Sequence, residues 1–92
     1  MFKNKSHRQL ERIIKGFANH RRLAILELLN KKPELSVAEI SEKLNVNFKT
    51  ISDHIRRLAI AGLVLKRSDG LNVRHRLTDR AKTILKFLRI LE

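Results

Sequence analysis

Between residues 47 and 57, hydrogen-bonding and cationic side chains recur at helical spacing. Lys49, Thr50, Asp53 and Arg57 share one side of a helix, His54 and Arg56 flank them, Ser52 lies near the core edge, and Asn47 stands at the start. The opposite side carries Ile51, Ile55 and Leu58. Such a set suits recognition rather than bond cleavage. Lysine and arginine donate to phosphates and to guanine, hydroxyls donate or accept, and a carboxylate accepts from cytosine N4. Asp53 has two open readings: base contact, or an ion pair within the helix to Lys49 or Arg57. No nucleophile stands near a base, the nine acids are scattered and no glycine-rich phosphate loop is present, so an enzyme is not expected. His7, His20, His54 and His75 share no i, i+4 spacing and cysteine is absent, so neither a metal site nor a cofactor is expected. His54 reads as a phosphate or turn contact, His75 as a half-buried strand residue.

A framework must hold these groups. Leu35 to Leu58 reads as two short helices joined by a polar turn. Val37, Ile40 and Leu44 form one apolar stripe, Ser36 with Glu39 makes a capping box, Asn45 or Asn47 supplies the turn, and Asn47 can cap the next helix. A bracing helix followed by a polar, basic one is the helix-turn-helix arrangement, here over 36–58. Phe48, at its second helix, is expected in the core, with an outward contact to a thymine methyl as the alternative. Ile60 points outward by periodicity.

Upstream, Ser6 to Phe17 forms a helix with Leu10, Ile13, Ile14 and Phe17 on one stripe, and Gly16 weakens its end. Asn19 caps a second helix to about Asn30, which Lys31-Lys32-Pro33 terminates, and Glu34-Leu35 suggests a very short strand. Downstream, Gly62 stops the polar helix, and Ser68-Asp69-Gly70 turns between strands beginning at Leu63 and Asn72. This hairpin, over 63–77, has a basic tip and outer face with Arg67, Arg74 and Arg76. Thr78 or Asp79 caps a last helix over 79–92 lined by Ala81, Ile84, Leu85, Leu88 and Leu91, which Phe87 and Ile90 widen. The expected fold is mainly α with a small β-hairpin: two helices, a very short strand, two helices, two strands and a last helix, in a single domain spanning 1–92.

Charge agrees with a polyanionic partner. The chain has 92 residues with 21 Lys plus Arg against 9 Asp plus Glu, a net charge of +12 and a pI near 11.2. Residues 1–22 hold 7 bases and 1 acid (+6), 23–46 hold 3 and 4 (−1), 47–76 hold 7 and 2 (+5), and 77–92 hold 4 and 2 (+2). The bracing segment is thus left slightly acidic while the polar helix and hairpin are strongly basic. Lys3, Lys5 and Arg8 suggest a basic arm. With four Phe and no Trp or Tyr, stacking on unpaired bases is disfavoured, so single-stranded binding is not the expected mode. No apolar run is long enough for a membrane span and the start lacks a signal-peptide pattern, so a cytoplasmic, nucleoid-associated location is expected.

The stretch from Ala18 to Leu77 resembles winged helix-turn-helix regulators of the ArsR type. Ala18-Asn19-His20-Arg21-Arg22-Leu23-Ala24-Ile25-Leu26 is similar to that family's Ala-Asp-Pro-x-Arg-Leu-x-Ile-Leu opening, with His20 where proline is usual. Leu35-Ser36-Val37-Ala38-Glu39-Ile40 resembles the start of its bracing helix. Thr50-Ile51-Ser52-Asp53-His54-Ile55 and Ala61-Gly62-Leu63-Val64 resemble its Thr-Val-Ser-x-His-Leu and Ala-Gly-Leu-Val signatures. Metal-sensing members place cysteines where this chain has Ser36 and Ala38, or Asp and His pairs on the last helix, where 79–92 has no histidine. The resemblance implies a homodimer through the first and last helices, so Leu10, Ile13, Ile14, Phe17, Ile84, Phe87, Leu88 and Leu91 are the expected dimer contacts. The expected function is a sequence-specific, double-stranded DNA-binding transcriptional regulator, a dimeric repressor without metal sensing, since no activation domain or enzyme is attached. The alternatives are an architectural nucleoid protein and a winged-helix module binding protein or RNA.

Overall fold

The computed structural model describes residues 2–92. Five helices and one hairpin follow in order: α1 (His7–Phe17), α2 (His20–Lys31), α3 (Val37–Leu44), α4 (Phe48–Ile60), β1 (Val64–Asp69), β2 (Asn72–Leu77) and α5 (Asp79–Leu91). Side chains define most of the helix starts. Ser6 and Gln9 form a reciprocal capping box on α1, and Ser36 and Glu39 do the same on α3. The carboxamide of Asn19 accepts from the amides of Arg21 and Arg22 at the start of α2, and Thr78 accepts from Ala81 at the start of α5.

One core joins all the elements except α1. Ile25, Leu26 and Leu29 of α2 meet Ile40 of α3, Ile51, Ile55 and Leu58 of α4, and Ala81, Ile84 and Leu85 of α5. Leu63, Val64 and Leu77 anchor the base of the hairpin in that core. Helix α1 buries no residue fully and lies over the end of α4, with Ile13 and Phe17 packed on the core edge. A Cβ added to Gly16 would lie 2.5 Å from the Cβ of Ala61, so glycine is what permits this approach.

β1 and β2 pair antiparallel with Val64 opposite Leu77 and Arg67 opposite Arg74. Gly62 (φ +75°) and Gly70 (φ +63°) take the left-handed conformations that the helix stop and the hairpin turn require. Glu34 and Leu35 contribute less than the expected short strand. Only Leu35 pairs, as a single bridge to His75, because Glu34 adopts φ +70° and cannot continue an extended ladder. The amide of Glu34 still donates to the His75 carbonyl at 2.8 Å.

Candidate nucleic-acid interface

Helix α4 is aimed by the turn before it. Asn45 closes α3 in the left-handed region (φ +53°), the Ser41 hydroxyl donates to the Val46 carbonyl, and the Val46 amide donates back to the Ser41 carbonyl at 3.1 Å. Asn47 then caps α4, its carboxamide oxygen accepting from the amides of Lys49 (2.8 Å) and Thr50 (3.3 Å). With Ile51, Ile55 and Leu58 buried, the remaining face is fixed as outward.

On that face Lys49, Ser52, Asp53, Arg56 and Arg57 are exposed and Thr50 is half-buried. Among the described residues Asp53 takes part in no ion pair, so the partnership with Lys49 or Arg57 that its spacing allowed is not formed. Two neighbours depart from expectation. Phe48 is 56% exposed rather than part of the core, because Leu44 and Val46 already pack there. His54 is half-buried and turned inward. Its Nδ1 accepts from Arg22 Nε at 3.1 Å, while Arg22 Nη1 reaches the carbonyls of Lys15 and Gly16 at 3.2 Å each. Arginine can only donate, so His54 is neutral with its proton on Nε2. Burial, followed by the charges of Arg22 and Arg21, holds its pKa below the ordinary value. His54 is therefore a brace between α4, α2 and the end of α1 through Nδ1, which leaves Nε2–H as its one remaining donor.

The hairpin presents Arg67, Arg74 and Arg76 on its outer face, with Leu65 56% exposed beside them. All three are engaged locally. Arg67 Nη2 meets Glu34 Oε2 at 3.0 Å and Arg76 Nε approaches Oε1 of the same carboxylate at 4.0 Å. Arg74 Nε meets Asp69 Oδ2 at 2.8 Å and its Nη1 donates to the Glu34 carbonyl at 3.1 Å. The Arg74 bond and charge hold the Asp69 carboxyl below the usual carboxylate range. The tip itself is not basic: it runs Asp69-Gly70-Leu71-Asn72, with Leu71 fully exposed. His75 is fully buried rather than half-buried. Its Nδ1 lies 2.8 Å from the Leu35 carbonyl, and burial lowers its pKa against that hydrogen bond.

The eight expected dimer contacts divide. Ile84 is only 9% exposed and belongs to the core of its own subunit, a correction to its expected place in an interface. Leu10, Ile13, Phe17 and Leu88 are half-buried. Ile14 (53% exposed), Phe87 (51%) and Leu91 (65%) remain outward, and Ile90 (81%) joins them. Among the described residues no group of three or more His, Asp or Glu is placed to hold a metal ion. No helix among them is long and apolar enough to cross a membrane.

Residues 19–66 match the sequence profile of the bacterial regulatory protein arsR family. An uncharacterised HTH-type transcriptional regulator of Methanocaldococcus jannaschii is 36% identical over 77 residues, covering 83% of this chain and 86% of the relative. HlyU from Vibrio cholerae superposes with a TM-score of 0.81 at 32% identity, covering 97% of each chain. A homodimeric winged helix-turn-helix DNA-binding domain from Mycobacterium bovis, described as a possible ArsR-family transcriptional regulator, superposes with a TM-score of 0.82 at 28% identity, over 98% of this chain and 89% of that one.

Proposed function

The chain belongs to the bacterial arsR family of regulatory proteins and is a winged helix-turn-helix DNA-binding domain, and on that premise we propose that it is a dimeric, sequence-specific repressor that works without a metal. The observation that carries this reading is the bare outer face of α4, where Lys49, Thr50, Ser52 and Asp53 offer donors and an acceptor to base edges while Arg56 and Arg57 flank them. Dimerisation is supported by the exposed Ile14, Phe87, Ile90 and Leu91 on the terminal helices, which a second copy would cover, and by the homodimeric state of the Mycobacterium bovis neighbour. Two copies related by a two-fold axis set their reading helices about 34–36 Å apart, one turn of duplex, and so select an inverted repeat. Such a footprint over a promoter excludes polymerase. Metal-free action is supported by the absence of thiols from the chain and by His54 and His75 being engaged with Arg22 and Leu35.

The test is selection of bound fragments from sheared genomic DNA, followed by competition of the selected site against random duplex. A recovered inverted repeat with at least about a thousandfold preference at physiological salt is the expected result. A preference near one, with binding carried only by the +12 charge, would make the protein architectural instead.

A further inference from the structure

A cleft of about 520 Å³ opens between α1, the end of α4 and the start of α5. Of its eleven lining residues six are Lys or Arg and none is acidic. Two of the cations are fixed in place without being neutralised. Arg22 is held by the Lys15 and Gly16 carbonyls, and Arg80 Nη1 donates to the Ala61 carbonyl at 2.8 Å. Arg12 and Arg57 have no ion pair among the described residues. The cleft opens beside the close passage of α1 over α4 at Gly16 and Ala61, and Ile13 with the 75% exposed Ile60 gives it an apolar wall. That wall supplies a role for Ile60, an apolar side chain that helix periodicity turns outward.

From this geometry we propose that the cleft binds a small phosphorylated organic molecule, its phosphate among Arg12, Arg57 and Arg80 and its apolar body on Ile13 and Ile60. Guanidinium forks match phosphate oxygens bidentately, and a dianion offsets clustered positive charge better than a carboxylate does. The volume falls within the range of small-molecule sites, and a concave wall with apolar lining fits a compact ligand better than the convex rod of a duplex. Arg57 also borders the outer face of α4, so an occupant that engages it competes with DNA for that side chain. This last consequence alone rests on the DNA-binding reading.

The proposal is tested on the full chain without DNA, by titration with phenyl phosphate and with inorganic phosphate while amide shifts are followed at Gly16 and Ala61. The expected result is one saturable site per chain, roughly tenfold tighter for phenyl phosphate because its ring is covered. Arg12→Gln removes a side chain with no hydrogen bond or ion pair among the described residues, so folding is spared, and it should weaken both probes about tenfold. Ile60→Ser, at an exposed position, should abolish the preference for the phenyl compound. Shifts that spread over every basic surface without saturating, equal affinity for the two probes, or an Arg12→Gln effect on duplex binding but not on phosphate would each overturn the proposal.

Discussion

Lys49 and Gly16 illustrate two ways in which a single residue matters here. Lys49 sits free on the first turn of α4, where an ammonium reaches a guanine edge. Replacing it with alanine should cost about 1–3 kcal/mol of discrimination between selected and random duplex while leaving non-specific affinity less affected, as read by competition binding. An equal loss on both DNAs would assign it to phosphate. Gly16→Ala acts on stability instead. Its new methyl would meet Ala61 Cβ at 2.5 Å, so α1 must lift from α4, and a loss of about 1–3 kcal/mol should appear in thermal melting. At this scale the sequence is legible only where a residue's fate is decided within its own helix. Ile51, Ile55 and Leu58 follow from periodicity. The inward turn of His54 does not, because its partner Arg22 lies 32 positions away. Gly16 reads in sequence as a weak helix end, and only the neighbouring helix reveals it as the point of contact. Phe48 takes the outward alternative to its expected core position because Leu44 and Val46 compete for the same core space.

Among the elements, the hairpin depends on a linker residue. Glu34 donates its amide to His75, accepts from Arg74 through its carbonyl, and places its carboxylate between Arg67 and Arg76. It ties the outer arginines to the α2–α3 connection and partly offsets their charge. Glu34→Gln should therefore free Arg67 and Arg76 toward phosphates and raise affinity for any duplex by about fivefold at low salt, with little change in sequence preference. A fall in affinity would mean that Glu34 positions these arginines rather than restraining them. The caps were largely visible beforehand: Ser36 with Glu39, Asn19 and Asn47 each stand before an apolar-periodic run. The Ser6–Gln9 box on α1 follows the same spacing rule and was open to the same reading. The short strand expected at Glu34-Leu35 shrinks to a single bridge at Leu35, because Glu34 takes a left-handed conformation that local propensity disfavours.

For the whole molecule, folding is linked to pH through two neutral histidines. His54 and His75 both have folded-state pKa values below the ordinary 6.5, chiefly through burial. As pH falls the unfolded chain takes up these protons first, so their contribution is complete above about pH 6.5 and is lost as pH falls through the lowered folded values. The denaturation midpoint should thus be lower at pH 5.5 than at pH 7.5, a window above the one in which the carboxylates of Glu39 and Asp69, both held below their ordinary values, become protonated. Fold class and the basic–acidic division of the surface were legible because periodicity and charge are summed over whole segments. How the terminal helices divide between core and surface was not, because Ile84 and Phe87 differ only in which side of α5 meets α2. The central claim is that the outer face of α4 meets duplex DNA. It is tested most directly by adding a selected duplex to the labelled protein and following its backbone amides. The account predicts shifts concentrated at Lys49, Thr50, Ser52, Asp53 and Arg57 and extending to the hairpin arginines. Shifts confined to other surfaces, with α4 unmoved, would contradict it.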